Sequence, residues 1–98
     1  MPTKTVRLTP QADADLAAIY RYSGSVWGDS VAERYIREIS NIFQVLLANP
    51  SVGKSCTFIS PNLRARACDS HVIFYRPTDF GIAVIRILHK SMDYPAHL

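Results

Sequence analysis

The stretch Gly81-Ile-Ala-Val-Ile-Arg-Ile-Leu-His89 constrains the fold most, because apolar residues fill both its odd and its even positions. Successive side chains of a strand point to opposite faces, which puts Ile82, Val84 and Leu88 on one side and Ala83, Ile85 and Ile87 on the other. Such a strand lies inside a sheet and needs cover on both sides. Arg86 breaks the pattern, on the face of Val84 and Leu88. Its head needs a carboxylate or carbonyl partner, or an open edge that leads to water. Two readings stand for it: an ion pair to a helix carboxylate, or a contact to a binding partner.

The cover comes from upstream. Val31, Tyr35, Ile39, Ile42 and Leu46 form a helical stripe, widened by Ala32, Ile36, Phe43 and Leu47, while Glu33, Arg34, Arg37, Glu38, Asn41 and Gln44 fall opposite. Ser30-Val31-Ala32-Glu33 reads as a capping box opening this helix, with Asp29 as the alternative cap. Asn49-Pro50 stops it. An earlier helix starts at Thr9-Pro10, a capping residue followed by proline at the first helical position. Ala12, Leu16, Ile19, Tyr20, Ser23 and Trp27 keep its spacing, Gly24 loosens its last turn, and Gly28 ends it. So short a connection predicts an antiparallel helical hairpin.

Val6 and Leu8 alternate with polar neighbours as a short first strand. Residues 51–61 hold no period and read as loop. Strands follow at about 63–68, 71–76 and 81–89, with Asp69-Ser70 and Pro77-Thr78-Asp79 as turns. The tail from Ser91 to Leu98 is expected to be too polar and short to matter for packing. The order is β-α-α-β-β-β: a single α+β domain over residues 1–98, with a helical hairpin on one face of a small, mostly antiparallel sheet.

Composition sets the environment. The chain is 48% hydrophobic, enough for one core, and carries a net charge of +3. The first fifty residues balance, so the surplus sits in residues 51–98 (Lys54, Arg64, Arg66, Arg76, Arg86 and Lys90 against Asp69, Asp79 and Asp93), where all three histidines also lie. Such a patch suits an acidic protein or nucleic acid, or is simply solvated. The longest apolar run, Leu16 to Tyr20, is far short of the roughly 18 residues of a membrane span. The first residues have no apolar core of a secretory signal. Cys56 and Cys68 read as free thiols, and the expectation is a cytoplasmic protein with no membrane contact.

Several stretches resemble one family. Leu8-Thr9-Pro10-Gln11-Ala12-Asp13 resembles its strand end and acidic first helical turn. Trp27-Gly28-Asp29 with Ala32-Glu33-Arg34-Tyr35 is similar to its hairpin turn, and Asn49-Pro50-Ser51-Val52-Gly53 to its helix stop. His71 to Arg76 and Ile85 to His89 look like its last strands, and Ser91-Met92-Asp93 with Ala96-His97-Leu98 like its tail. In this order the chain resembles the ParE branch of the RelE/ParE toxin superfamily. The resemblance implies a toxin held by a cognate antitoxin, a ParD-like ribbon-helix-helix protein, in a hetero-oligomer. It implies DNA gyrase as the target, bound as protein, without catalysis, cofactor or sequence-specific nucleic-acid binding. Relatives on the same fold cut messenger RNA on the ribosome, and an inert relative that only binds its antitoxin is a third reading. Fold alone does not separate these.

Individual residues narrow the choice. RNA cleavage needs a base, an acid and cations to hold the phosphorane. Arg86, His89, Lys90, Tyr94 and His97 fall in the right region, but the strand centres read as packed core. Arg86, His89, Lys90 and Asp93, where the last strand leaves the core, are instead the candidates for contacting the target. Tyr20 and Tyr22 stand about 200° apart on their helix, so at least one is exposed. With Trp27, and with Arg64 and Arg66 paired on one strand face, they are the candidates for antitoxin contact. Most of the hairpin aromatics are nevertheless expected in the core. Asp69-Ser70-His71 holds the letters of a hydrolase triad, but consecutive residues on a strand do not converge. Cys68 and His71, with Cys56 or His89, lack the paired spacing of a zinc site, so no metal is expected. The scattered glycines form no phosphate loop.

Overall fold

The computed structural model describes residues 3–98. The elements run β1 (Thr5–Leu8), α1 (Pro10–Trp27), α2 (Asp29–Ala48), β2 (Lys54–Ser55), β3 (Arg64–Cys68), β4 (His71–Thr78), β5 (Gly81–His89) and α3 (Tyr94–His97). The sheet order is β1-β5-β4-β3-β2; β1 runs parallel to β5 and the other neighbours are antiparallel. The doubly apolar strand is therefore interior, as its sequence requires. α1 and α2 pack against each other and on the sheet.

Alternation along β4 divides the interior into two cores. Ile73 and Tyr75 join Ile82, Val84 and Ile87 of β5 beneath the helices, with Ala12, Ile19, Ile39, Phe43 and Leu46 closing the cluster. Phe74 points to the opposite face, where Cys56, Leu63 and Leu88 surround it and Tyr94 and Leu98 pack against them. The expectation that residues 91–98 are dispensable for packing is thus corrected. The Tyr94 ring meets Phe74 edge-on at 5.0 Å, and Leu98 lies on the same cluster. Charged and polar neighbours in the tail hid this apolar pair.

β5 also departs from simple alternation. Phe74 pairs with Arg86 but Tyr75 pairs with Val84, leaving Ile85 as an extra residue without a partner. The bulge shifts parity by one, so Ile87 faces the helices and Leu88 the opposite core. The sequence pattern had assigned these two the other way round, since a bulge leaves no periodic signal.

Smaller differences have local causes. Thr9 caps α1 as expected, its hydroxyl accepting from the Ala12 N–H at 3.1 Å. The capping box at Ser30 does not form, because α2 already begins at Asp29 with Gly28 as its cap and no side-chain bond. Gly28 serves both helices: its N–H donates to the Gly24 carbonyl and its carbonyl accepts from Ala32, at a φ of 92° that favours glycine. α1 keeps its helical form through Gly24 to Trp27. The 51–61 stretch contains β2, whose two residues are too few to show a period. β4 runs on through Pro77 and Thr78, so the turn is at Asp79-Phe80. After α2 the chain is clasped by Tyr75, whose hydroxyl donates to the Pro50 carbonyl at 2.8 Å and accepts from the Gly53 N–H at 2.9 Å. A side chain at position 53 would collide with that hydroxyl.

Leu46 has no exposed surface. Leu46→Ala is expected to cost about 2–5 kcal/mol in urea denaturation, and a loss under about 0.5 kcal/mol would refute this packing. Deleting residues 94–98 should also lower the thermal midpoint, by uncovering Phe74 and Leu88.

Candidate functional site

Past Val84, β5 has no β1 neighbour, because β1 ends at Leu8 and the chain turns into α1. Side chains take over the exposed edge. The Thr9 hydroxyl donates to the Ile85 carbonyl at 2.7 Å, and the Asp15 carboxylate accepts from the Ile87 N–H at 2.9 Å. The same carboxylate receives the Arg86 guanidinium in a fork, Nε to Oδ2 at 2.8 Å and Nη2 to Oδ1 at 2.9 Å. Arg86 Nη1 donates to the His97 carbonyl at 3.1 Å, which ties the tail to the strand. The carboxylate hydrogen bond raises the Arg86 pKa still further. Of the two readings of Arg86, the structure supplies the helix ion pair.

The other exit residues separate from it. The His89 Nδ1 accepts from the Ser91 N–H at 3.1 Å and lies 2.7 Å from the Ser91 hydroxyl. Lys90 and Asp93 are exposed, and neither side chain has a hydrogen-bond or ion-pair partner among the described residues.

Tyr20, Tyr22 and Trp27 all lie at the surface, correcting the expectation that most hairpin aromatics are core. Tyr22 and Trp27 are 63% and 61% exposed, and their rings meet edge-on at 6.1 Å. Tyr22 and Trp27 form one wall of a cleft of about 530 Å³. Arg34, Tyr35 and Glu38 of α2 form another, and Asp69, His71 and His89 line the end of the sheet. Tyr20 does not line it. Arg64 and Arg66 share one face of β3, as expected, but Arg64 is drawn to the loop carbonyls of Ser51 and Gly53, at 3.1 and 2.7 Å. Arg66 instead borders a second, more apolar groove of about 530 Å³ on the face opposite the helices, with Val52, Phe58, Val72 and Tyr94.

The cleft is organised by a hydrogen-bond chain that sequence reading missed, because its members come from α2, β3 and β4. The Tyr35 hydroxyl lies 3.0 Å from the Cys68 carbonyl and 2.6 Å from His71 Nδ1. A hydroxyl has one proton, and a carbonyl can only accept. Tyr35 therefore donates to Cys68, His71 donates from Nδ1 to Tyr35, and Nε2 of His71 is left as an acceptor. The His71 and His89 rings stand edge-on at 5.3 Å. Burial, and next the neighbouring His89, lower the pKa of His71 from its ordinary 6.5, against smaller opposing pulls from Asp69 and Asp15.

Below about pH 6.5 the unfolded chain protonates this histidine before the folded one does, so stability is complete above that pH and falls as pH drops toward the lowered folded value. The difference in urea midpoint between pH 7.5 and pH 5.5 should therefore shrink in His71→Gln. An unchanged difference would show that His71 is not held neutral.

The family described as "ParE toxin of type II toxin-antitoxin system, parDE" matches residues 6–94. The chain is 39% identical over 92 residues to Toxin ParE1 of Mycobacterium tuberculosis, covering 93% of this chain and 94% of the relative. It is 37% identical over 95 residues to Toxin ParE1 of Caulobacter vibrioides, covering 97% and 98%. Among solved structures, the chromosomal ParDE toxin–antitoxin system from P. aeruginosa superposes with a TM-score of 0.75 at 23% identity, over 89% of this chain and 96% of that one. An interior strand closed by an arginine fork, a helical hairpin over it and these full-length likenesses lead to one conclusion: the chain belongs to the ParE toxin family of type II toxin–antitoxin systems.

Proposed function

We propose that this toxin acts by binding DNA gyrase rather than by catalysis, and that a ParD-like ribbon-helix-helix antitoxin neutralises it. The observation that carries the first half is the engagement of Arg86. Cleavage of RNA beside His89 needs cations free to meet a phosphorane. Arg86 gives three of its five donors to Asp15 and the His97 carbonyl, which leaves Lys90, next to His89 in sequence, and Arg34, on the same cleft lining as His89, as the cations without a partner there among the described residues. Exposed cations beside a histidine, with the strand's own arginine held in an ion pair, suit steering and register at a protein interface better than phosphoryl chemistry. In this reading His89, Lys90 and Asp93 are the contact residues, and Arg86 holds the strand from which they project.

The antitoxin half rests on exposed apolar surface. Phe58 is 80% exposed, and Tyr22 and Trp27 add a second apolar area at the hairpin end. A segment that folds onto such surfaces buries them, and aromatic anchors supply most of the affinity in such contacts. In this reading Tyr20, Tyr22, Trp27 and Arg66 are the residues that meet it. Arg64, bound to loop carbonyls, supports the surface from behind.

Purified toxin should block supercoiling by gyrase and leave messenger RNA uncut on ribosomes. Lys90→Glu should weaken gyrase inhibition by about 10-fold or more while sparing stability. Ribosome-dependent cuts with unimpaired gyrase would overturn the proposal in favour of a ribonuclease. Activity in neither assay, with the antitoxin still bound, would identify an inert relative.

A further inference from the structure

The cleft between the hairpin end and the sheet is built for a particular chemistry. Its polar groups are mostly acceptors. Glu38 and Asp69 bring two carboxylates, and neither is ion-paired among the described residues, where Arg86–Asp15 is the one salt bridge. His71 brings the unprotonated Nε2. Ser23 brings a hydroxyl to the lining. The opposing wall is aromatic, with Tyr22 and Trp27 exposed. Arg34 is the single formal cation on the lining, so with neutral histidines Glu38 and Asp69 leave it at −1 in a chain of +3.

We propose that this cleft binds an arginine side chain presented by the antitoxin. A guanidinium is flat, always charged and carries five donors but no acceptor. It can lie against the Trp27 or Tyr22 ring while its fork donates to Glu38, Asp69 and the Ser23 hydroxyl. A phosphate or carboxylate would gain from Arg34 but would face the two carboxylates of Glu38 and Asp69. The occupant rests on the reading that the hairpin end faces the antitoxin. Because His89 lines the same cleft, an arginine seated there also covers one of the proposed gyrase contacts.

Trp27 is the sole tryptophan and reports directly on the cleft. Isolated toxin is titrated with N-acetyl-arginine methylamide while Trp27 fluorescence is followed. The neutral citrulline analogue, of nearly the same shape, and inorganic phosphate are run in parallel. A saturable change with the arginine compound alone is expected, weakened about 10-fold in E38Q/D69N. Asparagine tolerates the left-handed backbone at position 69, where φ is 54°, and a thermal scan verifies that the variant is folded. An equal response to citrulline, saturable binding of phosphate, or no saturation with arginine would overturn the proposal. In a second arm the cognate antitoxin is added. Binding should shift Trp27 emission and should weaken about 10-fold or more in E38Q/D69N. Unchanged affinity in that variant overturns the antitoxin's arginine as occupant while leaving the toxin–antitoxin pair intact. If wild-type toxin failed to bind the antitoxin at all, the pairing itself would fall, and the arginine titration would still decide the chemistry of the cleft.

Discussion

Asp15 sits one turn into the first helix, and its carboxylate serves two masters on β5. It accepts the Ile87 N–H, which lost its strand neighbour when β1 ended, and it receives the Arg86 fork. Removing the carboxylate would leave a guanidinium and a backbone donor unmet in a partly buried place, where unpaired groups are expensive. Through Arg86 the same contact reaches the His97 carbonyl, so helix, strand and tail are joined at one point. The parallel β1 can be as short as four residues because this side-chain pair continues its work.

The bulge at Ile85 lies beside that point and redirects everything beyond it. By shifting parity it gives Ile87 to the hairpin core and Leu88 to the core closed by Tyr94 and Leu98. It also carries His89 to the helix side, edge-on to His71 and within the cleft bounded by Tyr22 and Trp27. In strict alternation Ile87 and His89 would both lie on the face opposite Ile82 and Val84, away from the helices. One extra residue therefore decides which surface the end of β5 helps to form.

That placement links the two interactions proposed for the toxin. Residues singled out separately, the hairpin aromatics for the antitoxin and His89 for the target, are neighbours in space. A partner filling the cleft would hide His89 without a change of shape in the toxin. The apolar groove beside Phe58 lies on the opposite face and shares no lining residue with this cleft.

How much of this was legible beforehand follows from the range of the forces involved. Periodicity and caps are local, and Thr9-Pro10, the α2 stripe, Asn49-Pro50 and the doubly apolar 81–89 stretch placed both helices, the strands β1, β3, β4 and β5, and the interior position of the last strand. The family resemblance was carried by those same local signals. The parallel pairing of β1, the brief β2, the bulge and the docking of Tyr94 left no such trace, since each depends on residues far apart in the chain. So does the cleft: Ser23, Glu38, Asp69 and His71 are unremarkable polar residues in their own segments, and only the crossing of the hairpin over the sheet end turns them into one set of acceptors. The sequence by itself determined that a helical hairpin must cover an interior strand, because apolar side chains on two faces demand burial. Tertiary structure decided which polar groups meet at its edges, because hydrogen bonds and charges act only between atoms that the fold brings within a few ångströms.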